Sequence, residues 1–293
     1  MTARAFFYAP SGSLRAAWRW IGFVLVMLVA AFVLQLLISL VYRPHGMLEA
    51  QAEGFVAFLV AVAIAHVVML RWVDHLPWSY VWMGRAQVTT HKLGTGWVLG
   101  MLGIGVPSVL LMAGHWLAVK PAASGSWWTF ALLLLAFFLP QSLAEEMMMR
   151  GYLMATAREA IGWKGALVLT SVIFGALHLA NPGADVRSFV LVVLAGLFLG
   201  GIVLLTDSLY AAWMAHCAWN WTMAALLHTA VSGLPLPAPD YAVVDNGPDW
   251  LTGGVWGPEG GAGAAVGMLV MMGIFIAWRR RAASAQTRPG EVA

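Results

Sequence analysis

Two adjacent glutamates, an arginine one helical turn on and two later histidines are the residues of this chain whose types and spacing could do chemistry. Glu145, Glu146 and Arg150 lie in the run Gln141-Ser-Leu-Ala-Glu-Glu-Met-Met-Met-Arg-Gly-Tyr-Leu153. Glu146 and Arg150 are four apart, so a helix puts them on one face where they can pair. His178 follows in Ser171-Val-Ile-Phe-Gly-Ala-Leu-His-Leu179, one turn after Phe174. His216 and Asn220 are again four apart and again share a face. A carboxylate beside an imidazole can take a proton from water, and an imidazole or carboxamide N–H is a good oxyanion donor in a dry site.

All of these groups sit in apolar surroundings. Of 293 residues, 61% are hydrophobic and only 10% charged, too few to cover a water-soluble globule. The fold class expected is an all-α integral membrane protein, a polytopic bundle of about eight helices with an intramembrane polar cavity. Disordered, collagenous and disulfide-rich classes are excluded, since Cys217 is the single cysteine. The 16 basic against 13 acidic residues make no basic face, so no nucleic-acid partner is expected.

The eight apolar stretches are Trp20 to Tyr42, Gly54 to Leu70, Gly94 to Ala118, one beginning near Trp128, Gly165 to Ala180, Ser188 to Thr206, Ser208 to Ala230 and Gly260 to Trp278. They form a single membrane domain over 1–293, with a motif-bearing core at about 130–230. Lys and Arg favour alternate loops: Arg4, Arg15 and Arg19 precede the first span; Arg71, Arg85 and Lys92 follow the second; Arg158 and Lys164 follow the fourth. Four arginines follow the eighth, whereas the acidic segment 231–259 has no basic residue. Both termini, including a tail at 280–293, are therefore expected on the cytoplasmic side of the cell inner membrane, with 231–259 an external loop. Tryptophans at span ends, such as Trp18, Trp72, Trp97, Trp116 and Trp278, suit the headgroup region.

Charged and polar groups inside spans are expensive and mark function by default. If the fourth span runs on through Met154 to Arg158, it starts near Leu132, Arg150 is buried with Glu146, and Pro140 falls inside as an expected kink. Glu145 then lies about 19.5 Å deep and His178, counted from Lys164, about 21 Å deep. His216 comes out about 13.5 Å from Asp207, so Glu145, His178, His216 and Asn220 can line one cavity. His66, His115 and His228 read as packing or interface histidines, and Cys217 points about 100° away from His216. Gly196 and Gly200 read as close helix contacts.

Glu-Glu-x-x-x-Arg at 145–150, Phe-x-x-x-His at 174–178 and His-x-x-x-Asn at 216–220 resemble the three motifs of the CPBP family of intramembrane proteases, which includes type II CAAX prenyl proteases and bacteriocin-processing enzymes. Arg150-Gly-Tyr-Leu153 and Ser171 before Phe174 agree with that pattern too. The resemblance implies an endopeptidase in which Glu145 activates water with help from His178, while His216 and Asn220 stabilise the oxyanion and Glu146 and Arg150 support them. It also implies a membrane-anchored or lipidated peptide or protein as substrate. A CAAX protease cuts after a lipidated cysteine near a C-terminus. The excess of arginine over lysine, with many Ala, Gly and Trp, points to a GC-rich bacterial genome and to membrane-anchored or bacteriocin-like peptides.

Ligand chemistry leaves open both a metal-free site and one divalent ion, zinc, held by Glu145, His178 and His216. The helical His-Glu-x-x-His signature is absent. Two other classes would also bury such groups: a transporter with a Glu/His relay, and a non-proteolytic scaffold or immunity factor. A transporter predicts sequence symmetry between halves, which is not evident. A scaffold has no need of three intact motifs.

Overall fold

The computed structural model describes residues 6–286 apart from 10, 11, 13, 123, 124, 237 and 238. Part of the expected tail at 280–293 therefore lies outside the described residues. The chain is an all-α polytopic membrane protein, and six helical segments are long and apolar enough to cross a bilayer. They begin with α1 (Ala16–Val41), α2 (Met47–Val67, prolonged by a π turn to Val73) and α3 (Thr90–Ala113). A fourth runs from Trp127 to His178 through α4 (Trp127–Glu146), a π segment (Met147–Leu153) and α5 (Met154–His178). The fifth and sixth are α6 (Val186–Thr206) and α8 (Ala262–Gln286), with the short α7 (Leu209–Trp221), too short to cross, between them. Large apolar side chains such as Phe32, Leu40, Leu110, Leu132 and Val190 stay exposed, as lipid-facing side chains do.

The difference from eight expected stretches has two physical sources. The 52-residue segment from Trp127 to His178 would be about 78 Å long if straight, more than twice a bilayer core of about 30 Å. It leaves helical geometry at Gly151 (φ −80°, ψ −110°) and again at Gly162 (φ 71°, ψ 168°), so two of the expected stretches belong to one folded-back segment. The second conformation is open to glycine and strained for other residues. Pro140, where a kink was expected, lies inside α4, and the backbone leaves helical φ/ψ further on, at Gly151. The expected seventh stretch is only the 13-residue α7 followed by a π turn, Thr222–Leu226.

Helix α7 is buried because α3 grips it through glycines. A Cβ at Gly96 or Gly100 would overlap the carbonyl oxygens of Ala211 and Ala215, and one at Gly103 would come within 3.0 Å of the Trp219 ring. Such small-residue faces are how apolar helices approach closely in lipid. Gly196 and Gly200 on α6 do the same against Ser171 and Leu167 on α5. These contacts fix the helices that carry His216 and His178. Replacing Gly100 by alanine is therefore expected to push Ala215 and its neighbour His216 aside at a cost of about 1–3 kcal/mol. The check is a lower unfolding temperature in detergent, and an unchanged one would contradict the tight packing.

Two features depart from the sequence expectation. Arg19, expected ahead of the first span, is inside α1 and 2% exposed. It meets Asp74 at 2.9 Å and Glu159 at 2.7 Å, and donates to the Tyr152 and Tyr80 hydroxyls. Its charge is matched by carboxylates rather than by water. Burial, then the hydrogen bond to Glu159, push the Tyr80 hydroxyl well above its ordinary value. Second, the all-α frame carries one antiparallel ribbon of β1 (Leu117–Pro121) and β2 (Tyr241–Asp245), registered Leu117 to Asp245 through Pro121 to Tyr241. It ties the segment after α3 to the 231–259 loop. His228 stacks on Tyr241 with ring centroids 4.0 Å apart.

Candidate active site

Three helices bring the chemistry-bearing side chains to one cavity of about 230 Å³. Glu145 and Gln141 come from the end of α4, His178 from the end of α5, and His216 and Asn220 from α7. Gln51, Phe55 and Phe58 of α2 also line it. Asn181 and residues of the Val231–Leu236 stretch complete the lining. The four residues expected to line one cavity do so, and Arg150 does not reach it.

Glu146 is completely buried, and Arg150 is 1% exposed. Arg150 Nη1 donates to Glu146 Oε1 at 2.8 Å, while its guanidinium lies 4.2 Å from the centre of the Phe174 ring. The same Glu146 oxygen lies 2.9 Å from His216 Nδ1. A carboxylate oxygen accepts, so the proton belongs on Nδ1, and Nε2 turns towards Glu145, 3.8 Å from Oε2. Glu146 thus orients the imidazole from behind and balances a buried guanidinium.

His178 is oriented by a different device. Its Nδ1 lies 2.8 Å from the Phe174 carbonyl oxygen, which can only accept. The proton again belongs on Nδ1 and leaves Nε2 uncommitted on the cavity side. Phe174 itself packs edge-on against both imidazoles, at centroid distances of 4.5 Å to His178 and 6.1 Å to His216.

Gln141 was not singled out from sequence, yet it joins the two halves of the cluster. Its Nε2 donates to Glu145 Oε1, and its Oε1 accepts from Asn220 Nδ2 at 3.2 Å and from Ser142 Oγ at 3.1 Å. Glu145 Oε2 is buried without a hydrogen-bond partner, 3.8 Å from His216 Nε2. A carboxylate with one oxygen held and the other free beside two imidazoles can accept a proton from a water in the cavity. The missed signal was spacing, since Gln141 stands four residues before Glu145 and hence on its face. Glu259 was also missed: it accepts from Trp219 Nε1 at 3.0 Å and from Ser232 Oγ at 2.8 Å, fixing the loop that closes the cavity to α7.

Among the described residues, no group of three or more His, Cys, Asp or Glu side chains is placed to hold a metal ion. The three side chains expected to hold a zinc ion, Glu145, His178 and His216, all line the cavity, with each imidazole held through Nδ1 and His216 Nε2 3.8 Å from Glu145 Oε2.

Comparison with known proteins gives one positive result. Residues 125–222 match the family model described as type II CAAX prenyl endopeptidase Rce1-like. No curated protein and no solved structure matches the chain. The matched segment begins just ahead of α4 and ends just after α7, so it encloses Gln141, Glu145, Glu146, Arg150, His178, His216 and Asn220.

Proposed function

With residues 125–222 belonging to the CPBP/CAAX protease family, we propose that the chain is an intramembrane endopeptidase that hydrolyses a peptide bond with a water activated by Glu145. The observation that carries this reading is the buried Oε2 of Glu145, without a hydrogen-bond partner and 3.8 Å from His216 Nε2, in a cavity that His178 also lines. Both termini are assigned to the cytoplasmic side of the inner membrane, on the Lys and Arg asymmetry.

Glu145 takes a proton from water as the oxygen forms its bond to the scissile carbonyl carbon, with His178 Nε2 accepting from or steering the same water. The carbonyl oxygen becomes an oxyanion. Asn220 has a second N–H beyond the one given to Gln141, and a doubly protonated His216 would donate from Nε2 while Nδ1 stays on Glu146. These donors are fixed before the reaction, and in a low-dielectric site such preorganisation is the larger part of catalysis. The proton held by Glu145 then passes to the leaving nitrogen, the C–N bond breaks, and an acid and an amine result. Glu146 and Arg150 touch no reacting atom and act by positioning His216.

The test is cleavage of membrane-anchored and farnesylated peptides by the purified protein in detergent, with and without a divalent-metal chelator. Cleavage that survives the chelator is the expected result. Cleavage abolished by the chelator and restored by zinc would contradict the metal-free chemistry.

A further inference from the structure

Part of the cavity is built by residues beyond the matched segment 125–222. Val231, Ser232, Leu234 and Leu236 line it together with Glu145 and His178. The first three belong to a tight turn. Val231 and Leu234 exchange backbone hydrogen bonds at 3.0 and 2.9 Å, and Ser232 and Gly233 between them have φ of 49° and 78°. Positive φ at both central positions defines a type I′ turn, easy for glycine and strained for serine. A serine stays in that conformation only where its surroundings hold it.

All three polar groups of Ser232 are held. Glu259 Oε1 accepts from both its amide N–H and its Oγ, the latter at 2.8 Å. Asn181 donates from Nδ2 to its carbonyl oxygen at 3.0 Å. The Gly233 N–H donates to the Trp256 carbonyl oxygen at 3.0 Å, and a Cβ at Gly233 would overlap the Pro182 carbonyl oxygen. The second oxygen of Glu259 accepts from Nε1 of Trp219, the residue before Asn220. Glu259 itself does not line the main cavity. One carboxylate thus ties a cavity-lining turn to α7, the helix that carries His216 and Asn220.

We propose that the turn 231–234 together with Leu236 is the wall that selects, by size, a substrate side chain beside the scissile bond, and that Glu259 is the positioning residue that sets this wall against α7. The proposal rests on the endopeptidase reading. Leu234 and Leu236 supply the apolar contact, and a turn bonded through Glu259, Asn181 and the Trp256 carbonyl yields little to a bulky group. In an apolar pocket that does not yield, a single methylene changes kcat/KM by about 10–200-fold. The groups assigned to catalysis all lie inside the matched segment, whereas the wall and Glu259 lie outside it, so the choice of side chain can be altered without touching a reacting group.

The test uses apolar membrane peptides that differ only in carrying alanine, leucine or tryptophan at each of the two positions on either side of the cut bond. Wild type, Leu234→Ala, Leu236→Ala, Glu259→Gln and Ser232→Gly are compared in detergent. Glutamine at 259 keeps one acceptor oxygen, for Trp219 or for Ser232 but not for both, and glycine at 232 removes the Oγ bond while relieving the positive φ. At one substrate position, the tryptophan-to-alanine ratio of kcat/KM is expected to rise roughly tenfold in at least one leucine variant. Glu259→Gln and Ser232→Gly should move the same ratio in the same direction by a smaller factor, through KM rather than kcat. A role in stability alone would lower every rate together and leave the ratio fixed. Unchanged ratios in both leucine variants would overturn the assignment of the wall and leave the endopeptidase reading standing. A shift in the leucine variants with none in Glu259→Gln and Ser232→Gly would overturn the role of Glu259. No cutting of any peptide by folded wild type would overturn the endopeptidase reading, and this inference with it.

Discussion

Replacing Glu145 with glutamine is expected to lower kcat/KM roughly a thousandfold, with the unfolding temperature nearly unchanged. The magnitude is that of removing a positioned general base, typically 10²–10⁴-fold. Glutamine has nearly the same shape, and its carbonyl oxygen can still accept from Gln141 Nε2, so the bond at the end of α4 survives. What is lost is the ability of the second oxygen to take a proton. The loss should fall on kcat more than on KM, because the water is activated only as the transition state forms. A variant that keeps its rate would show that another group activates the water, and His178 would be the next to test.

The second large effect concerns stability. Glu146→Gln leaves the buried Arg150 guanidinium without its carboxylate, which typically costs about 3–5 kcal/mol. Arg150→Met alone strands the opposite charge, though His216 Nδ1 still donates to it. The double variant Glu146→Gln/Arg150→Met removes both charges together. It is expected to be more stable than the sum of the single losses predicts, by on the order of 1–3 kcal/mol. Activity should not return with stability, since His216 has lost the carboxylate that orients it. Denaturation in detergent and steady-state kinetics on all four proteins separate the two roles. Strictly additive losses would mean that Glu146 and Arg150 do not act as a pair.

The parts of the site that could be read from sequence are those that violate the apolar rule. Glu145, Glu146, Arg150 and His178 stand out because charge and imidazole are costly in a hydrocarbon setting, and counting rise along each helix put Glu145 and His178 at similar expected depths. Gln141 escaped notice because an uncharged amide is a weaker violation, although it forms the bridge from Asn220 to Glu145. Arg19 was placed wrongly for a related reason. Nothing local distinguishes an arginine in a solvated turn from one whose partners, Asp74 and Glu159, lie far along the chain.

The backbone was legible only coarsely. Apolar runs mark helices but do not say where one folds back, and the turn at Gly162 depends on a positive φ that many glycines could adopt. The departure at Gly151 lies within the π segment Met147–Leu153, where a Cβ at Gly151 would approach His66 Nε2 to 2.9 Å. That is a tertiary fit with no sequence period. The β1–β2 ribbon was hidden because Leu117 continues an apolar run from α3, and its partner strand lies more than a hundred residues later. Helix α7 read as a span from its apolar length, whereas the glycine face of α3 makes it a short core helix.

The most direct measurement is a single-turnover reaction in lipid vesicles. Wild type and Glu145→Gln would each be mixed in excess with a peptide whose apolar segment spans the bilayer, and the product ends identified by mass spectrometry. Hydrolysis at a bond within the apolar segment by the wild type, and none on the same timescale by the variant, is the predicted result. A cut made equally well by both proteins, or made only outside the bilayer segment, would contradict a glutamate-activated water in an intramembrane cavity.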